Sequence, residues 1–361
     1  MADTQAATGL TPEQWDDQFF TEYFQENRFR REMGSDSSSI IQVKEDLSKK
    51  KGDRVTIALV NRLSNSAVTG SSTMEGNEED MTSRSHSITV DKYRNAVRVA
   101  EIEEQYSAIS LRKAGKAVLK DWSLEFDRDQ VIAALASING VAYGTASEAQ
   151  KDAWLVDNAD RVLFGAAKSN NSANDHSASL ANIDNTADKA TPGALALLKR
   201  IALSAAPKIR PVMDKGNGKR MFVAYTGSLV MRDLRENSTF QQAQREVGLK
   251  MENSRLFEGG DLLWDNIIIK EIDDIAVLSG VGAGAIDVCP LYLCGQQALG
   301  YGIARRWRSQ EETFDYGDKH GVEIWQIYGV NKLRFGTGSG DTDDTKDHGI
   351  VTGFFAAVAD S

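Results

Sequence analysis

One short segment of this chain has the glycine spacing of a nucleotide loop: Gly280-Val281-Gly282-Ala283-Gly284. Glycines at such intervals let the backbone close on a phosphate. That use needs a helix directly afterwards and an acidic residue about twenty positions on to take the ribose. Here an apolar, β-like run at 286–293 follows instead, so the segment reads as a turn. The chain has no Gly-x-x-x-x-Gly-Lys-Ser/Thr phosphate loop and no Gly-x-Ser-x-Gly nucleophile elbow. Its four histidines, His86, His176, His320 and His348, stand apart in polar segments, without the spacing of metal ligands. Cys289 and Cys294 share one apolar run, which fits reduced thiols better than a disulfide framework. The acidic pairs Asp273-Asp274 and Glu311-Glu312 read as solvated turns. The four aspartates of 341–347 lack the glycine and terminal glutamate of a calcium loop, and read as a solvated acidic loop. The residues therefore predict no catalytic group, no metal site and no cofactor.

Charge is distributed unevenly in a way that suits docking. Lys199, Arg200, Lys208, Arg210, Lys215, Lys219 and Arg220 fall within 22 residues against a single acid, Asp214. Such a run is either a solvated face or a surface for an acidic element of another subunit. An acidic cluster of that kind occurs at Glu75, Glu78, Glu79 and Asp80.

The elements that must carry these residues can be read from periodicity. Thr11-Pro12-Glu13-Gln14 has the form of a capping box. Behind it Trp15, Phe19, Phe20, Tyr23 and Phe24 make one aromatic stripe on a predicted helix that Gly34 would end. Five aromatics on a terminal helix need a cover, either the chain's own core or a neighbouring subunit. Strands are predicted at 54–63 and 88–100, separated by a polar stretch at 64–87 that is unusually long for a loop within a compact domain. Apolar residues then recur at helical spacing from Ile102 to Ile138 without proline. Unbroken from 106 to 138, that helix would run ~50 Å.

Downstream the chain alternates. A polar loop is predicted at 168–189 and a helix at 192–204 capped by Thr191. A strand follows at 221–225, then helices at 228–236 and 240–247. Strands are predicted at 266–272, 275–278 and 286–293, a small-residue helix at 296–305, and closing strands at 322–335 and 350–358. Interleaving without strict βαβ order gives an α+β class.

At 361 residues, with 41% hydrophobic and 26% charged residues, the chain can bury a large core without disulfides or metal. Its net charge of −10 argues against a dedicated nucleic-acid binder, which needs a basic stripe. Residues 1–9 do not resemble a signal peptide, and no window approaches the roughly 18 apolar residues of a membrane span. A soluble chain made in the cytoplasm is the expectation.

Several blocks, taken in order, resemble one family. They begin with Gly52-Asp53-Arg54-Val55-Thr56-Ile57-Ala58-Leu59-Val60-Asn61-Arg62-Leu63, Val68-Thr69-Gly70 and Met74-Glu75-Gly76-Asn77-Glu78-Glu79. They continue with Leu119-Lys120-Asp121-Trp122, Ile209-Arg210-Pro211-Val212, Arg232-Asp233-Leu234-Arg235 and Phe257-Glu258-Gly259-Gly260. Phe314-Asp315-Tyr316-Gly317 and Lys332-Leu333-Arg334-Phe335 close the series. Over about residues 50 to 350 the chain resembles the phage capsid family named after the major capsid protein of phage N4.

The resemblance implies the Hong Kong 97-type (HK97-like) fold of tailed-phage shells. Residues 1–50 become an N-terminal arm, 51–100 a two-stranded extended loop and 101–139 the spine helix of a peripheral domain. Most of 140–305 becomes an axial domain, and 306–361 returns to the peripheral domain. It implies a major capsid protein assembling as hexamers and pentamers into an icosahedral shell around DNA that it encloses without specific binding. The inter-subunit contacts would be Glu75, Gly76, Asn77, Glu78 and Glu79 on the loop, and Trp15, Phe19, Phe20, Tyr23 and Phe24 on the arm. Lys199, Arg200, Lys208, Arg210, Lys219 and Arg220 would form a basic docking surface.

No lysine lies between Gly52 and Asp91, so the lysine crosslink of the fold's prototype is not expected. Without a long charged helical leader, a separate scaffolding protein is expected, with a portal and decoration proteins as further partners and no membrane. The virion shell, assembled in the bacterial cytoplasm, would be its location. Competing readings are a compartment-shell or tail protein and, more distantly, a nucleotide-binding α+β enzyme resting on Gly280 to Gly284.

Overall fold

The computed structural model describes residues 28–45, 52–63, 65–107, 109–214, 218–247 and 261–360. The aromatic stripe from Trp15 to Phe24 lies outside the described residues. The described chain opens on a 3-10 turn, Arg28–Arg31, whose Phe29 is fully buried against Tyr225, ring centroids 4.9 Å apart. Strands β1 (Met33–Gly34) and β2 (Ile41–Lys44) follow in parallel, so Gly34 sits in a strand.

Next comes the hairpin of β3 (Arg54–Val60) and β4 (Ser83–Thr89), antiparallel with seven residue pairs from Arg54↔Thr89 to Val60↔Ser83. Period-two burial makes it: Val55, Ile57 and Ile88 face inward while their neighbours stay in solvent. Ile57 and Ile88 pack with Leu333 and Phe335, which pins the base of the hairpin. The predicted strand at 88–100 proves to be two. β4 ends at Thr89, and β5 (Asp91–Ala100) enters a different sheet. The sequence carries that break as a change of phase, since Ile88 and Val90 are even-numbered and Val97 and Val99 odd.

The predicted long helix is also interrupted. α1 (Glu101–Tyr106) stops, and α2 (Leu111–Ala136) runs 26 residues, ~39 Å at 1.5 Å per residue. Two serines cause the break. The Ser107 hydroxyl accepts from the Ile109 N–H at 3.2 Å, and Ser110 Oγ bonds Glu104 Oε1 at 2.9 Å. Serine side chains that offer the backbone such local partners favour caps over helix interiors.

Local signals fix the next elements. α3 (Glu148–Asp157) starts at a capping box of Ser147 and Gln150. β6 (Val162–Phe164) is wholly buried, and α4 (His176–Ala181), within the predicted polar loop, is capped by Asp175. α5 (Pro192–Ser204) has Thr191 accepting the Ala194 N–H with proline at the first position. β7 (Val212–Met213), β8 (Arg220–Thr226), α6 (Ser228–Glu236) and α7 (Ser238–Val247) follow. Then come β9 (Leu262–Trp264), β10 (Ile267–Glu271) and β11 (Val288–Cys294). Residues 275–278, predicted as a strand, contribute one bridge, Leu278↔Val288.

Residues 296–305 do not form the predicted helix; most belong to β12 (Leu299–Phe314), which turns into β13 (Lys319–Lys332). Small residues there serve close packing: a Cβ on Gly300 would stand 2.4 Å from Ile88 Cδ1 and 2.8 Å from Leu333 Cδ2. β14 (Arg334–Gly336), β15 (Thr345–Asp347) and β16 (Ile350–Ala356) end the chain.

Five strands pair in the order β1-β2-β12-β13-β5. Seven more form a sheet ordered β6-β16-β11-β8-β10-β9 with β7 on β8. The architecture is α+β. By compactness the described chain divides into a first unit, 92–127 and 305–327, and a second, 28–91, 128–304 and 328–360. The first unit buries little: Leu119, Val322, Ser123 and Gln326 are its buried side chains among the described residues. Aromatic stacking supplements them. Trp122 lies 5.1 Å from Phe126 and 5.9 Å from Trp307, whose indole N–H donates to Asp127 at 2.9 Å. The second unit has the larger core, with every residue of β11 and β16 buried and α5 packed on β16.

Candidate assembly surfaces

Beyond Val60 and before Ser83 the hairpin loses regular pairing, and the chain between them is almost entirely exposed. Its end is nonetheless a defined turn. The Asn77 N–H donates to Met74 O at 3.0 Å, Asn77 Nδ2 to Thr73 O at 3.0 Å, and the Gly76 N–H to Glu78 Oε2 at 2.7 Å. Gly76 has φ +85°, which suits glycine. Glu79 braces the loop's root by accepting the Asn65 N–H at 2.7 Å. Glu75, Gly76, Asn77 and Glu78 are exposed, and Glu79 is half-buried.

The acidic cluster drew the sequence reading, which passed over four apolar residues beside it. Val60, Leu63, Met74 and Met81 are 57–75% exposed. Methionine is unusually adaptable at surfaces that must fit more than one partner geometry. The signal was present, since two methionines stand in an otherwise polar loop.

The same hairpin is strapped at its base. Arg84 donates to Gly338 O, and Asp341 accepts the Ser85 N–H at 3.2 Å and its hydroxyl at 2.6 Å. Those bonds hold the Asp341 carboxyl below its usual range. The acidic loop of 341–347 is therefore only partly solvated. Asp347 is buried, taking the Lys332 ammonium at 3.0 Å, the Trp154 indole N–H at 3.2 Å and its own N–H to Asn158 Oδ1 at 2.9 Å.

The basic set divides. Lys199 is neutralised by Asp265, 2.7 Å from its carboxylate and 2.6 Å from its carbonyl. Arg200, Lys208, Arg210, Lys219 and Arg220 are exposed.

Gly280 to Gly284 forms a turn in which the amides of Gly280, Gly282 and Ala283 are engaged. Gly280 donates to Asp287 Oδ1 at 2.9 Å, Gly282 to Ile286 O at 2.9 Å, Ala283 to Ile183 O at 2.8 Å and Ala285 to Gly282 O at 3.0 Å. The cysteines are buried and unbridged, and burial pushes the Cys289 thiol up to about 11. Glu148, Asp152 and Asp175 bring carboxylate oxygens within 4.8 Å of one another. Two of them already hold α4, Asp152 accepting the His176 N–H at 2.8 Å and Asp175 the Ala178 N–H at 2.8 Å.

Three comparisons bear on this arrangement. A family model described as phage capsid protein matches residues 4–358. The major capsid protein of Pseudomonas phage KPP25 is 28% identical over 345 residues, 90% of this chain and 89% of that protein. The structure of the Cyanophage Pam1 capsid asymmetric unit matches with a TM-score of 0.87 at 30% identity, covering 100% of both chains. The capsid of Ralstonia phage GP4 matches with a TM-score of 0.78 at 20% identity, again over 100% of both, which is a likeness of fold.

Proposed function

The chain belongs to the phage capsid protein family, with its Hong Kong 97-type fold, and we propose that it is the repeating subunit of an icosahedral shell enclosing phage DNA. It is a major capsid protein, and its work is assembly rather than catalysis. The observation that carries this reading is the β3–β4 hairpin: fixed at its base by Ile57, Ile88, Leu333 and Phe335, it ends in a defined turn that its own chain leaves exposed. A well-formed loop end surrounded by solvent is shaped for a neighbour.

In this reading heterologous contacts closing by rotation give hexamers and pentamers, and many modest contacts sum to a durable wall. The ordered blocks quoted above favour kinship with the phage N4 group. A separate scaffolding protein, a portal and decoration proteins are the partners such a shell implies, with assembly in the host cytoplasm. Among the described residues no helix is long and apolar enough to cross a membrane. The domain reading belongs to this proposal: an arm, an extended loop, a spine, an axial body and returning strands, the paired part of the loop being β3 and β4.

Electron microscopy of the chain coexpressed with its scaffolding protein tests the function. Closed shells, or rings of five and six, are expected. A discrete monomer or dimer at every concentration would overturn the reading. Because residues 52–91 contain no lysine, mature shells boiled in detergent should run as a single band, and a ladder of multiples would show a crosslink after all.

The loop tip is tested by charge. Glu78→Lys with Glu79→Lys should cut shell yield by about tenfold or more, whereas Glu78→Gln with Glu79→Gln keeps the acceptors for Gly76 and Asn65 and should lose less. Unchanged yield from the lysine pair would remove the acidic tip as a contact.

A further inference from the structure

A cavity of about 360 Å³ opens within the second unit, large enough to take a small molecule. The larger sheet supplies its floor. Pro290 and Tyr292 are two residues apart on β11, and Phe354 on β16 pairs with Pro290, so the three share one face. Ile132 and Ala136, one turn apart on α2, add to its wall together with Ile275. Surfaces of this kind suit a ring or a short hydrocarbon chain.

Two further observations point to a ligand. Tyr292 is only 4% exposed, yet among the described residues nothing hydrogen-bonds its hydroxyl. Burial holds that phenol protonated, well above its usual range, so it is a standing donor. A buried polar group without a partner is rare in folded chains. One that lines a cavity marks the place where a ligand's polar atom would sit. Tyr143, which lines the same cavity, is by contrast engaged, its hydroxyl 3.5 Å from His176 Nε2.

Charge at the rim gives the second. The buried Arg128 holds Asp129 at 3.1 Å and Asp274 at 3.2 Å, and both carboxylates line the cavity while staying exposed. Two carboxylates share one guanidinium, so the rim favours a cation over an anion. Lys151, 4.7 Å above the Tyr143 ring, is matched by Glu148 at 3.8 Å. We propose that this cavity binds a small aromatic amine, its ring on Pro290 and Phe354, its polar end bonded to Tyr292 and its ammonium at Asp129 and Asp274. The site is built within one chain and needs no second copy.

Tyramine, phenethylamine and hydroxyphenylpropionate test it, titrated into the full-length subunit and followed by ligand-observed NMR. The first carries both polar ends, the second lacks the phenol, and the third exchanges the ammonium for a carboxylate. Tyramine should bind saturably with a Kd at or below about 1 mM. Phenethylamine should bind about three- to tenfold more weakly, and the acid at least about tenfold more weakly. Tyr292→Phe keeps the ring and removes the hydroxyl, so tyramine should fall to the level of phenethylamine, whose own binding should hold. No saturable binding of tyramine, equal affinity of the two amines for the unsubstituted chain, or tighter binding of the acid would each overturn the proposal. Ala136→Phe, which fills the cavity, should abolish binding. Binding that persists in that variant, with its Tm unchanged, would place the amine elsewhere.

Discussion

Lys270→Met is expected to lower the free energy of unfolding by about 3–5 kcal/mol, the usual consequence of removing one member of a buried ion pair. Lys270 lies in β10 after Ile267, Ile268 and Ile269, and its ammonium sits 2.6 Å from Glu32 Oε1 and 3.8 Å from Asp261 Oδ2. All three side chains are fully buried. Methionine fills nearly the same volume, so the loss measures charge rather than packing. It takes the lysine cation away from two buried carboxylates.

A triple variant, Lys270→Met with Glu32→Gln and Asp261→Asn, should recover most of the loss, because buried ionic groups replaced together often cost little. Chemical denaturation of the subunit reads both. A shift below about 1 kcal/mol for the single variant would mean that the carboxylates are compensated elsewhere. The triad also has a positional meaning. Glu32 follows Phe29 by three residues, and both settle on the strand pair β8 and β10 through Tyr225 and Lys270. Weakening it therefore loosens the root of the N-terminal segment and should reach assembly as well as stability.

Elements with local punctuation could be read from the sequence. Thr191-Pro192 announces α5, the paired helices α6 and α7 follow β8 where their apolar spacing begins, and the apolar run of β16 admits no other state in so buried a place. The misses share a cause, in that each depends on residues far away in sequence. Small residues at 296–305 suggest a helix until Ile88 and Leu333 are seen to require Gly300 in a strand. Lys199 joins the basic run until Asp265, 66 positions on, accepts it. The nearer of Lys270's two carboxylate partners, Glu32, is 238 residues away. At the loop tip the acidic cluster was legible, but the exposure of Met74 and Met81 required the hairpin's geometry.

Acid should destabilise the subunit through its buried His176 and its half-buried His86 and His348. Burial, the leading cause in each case, lowers His86, His176 and His348 to about 4. Cationic neighbours push the same way: Arg334 toward His86, Lys151 toward His176, and Arg161 with Arg210 toward His348. Asp152 and Asp175 oppose the shift at His176, and Glu148 stands 3.8 Å from its Nδ1. Its ring is enclosed by Tyr143, Trp154, Phe164 and Phe354, with centroids 5.6–6.4 Å away.

A histidine with a depressed folded value stays neutral in the native chain while the unfolded chain takes up a proton near 6.5. Between about 6.5 and 4 the unfolded state holds more protons. Stability is therefore complete above 6.5 and is lost as pH falls through that window. For His176, only 1% exposed, the loss approaches about 3 kcal/mol by pH 4. His176→Phe keeps an aromatic ring among the others and removes the titration. Its Tm should fall more gently than that of the unsubstituted chain between pH 6.5 and 4.5, and parallel profiles would exonerate His176. The affected cluster includes Trp154, Phe164 and Phe354, which tie α3 to β6 and β16. Acid would thus open the edge of the larger sheet, where β6 pairs with β16.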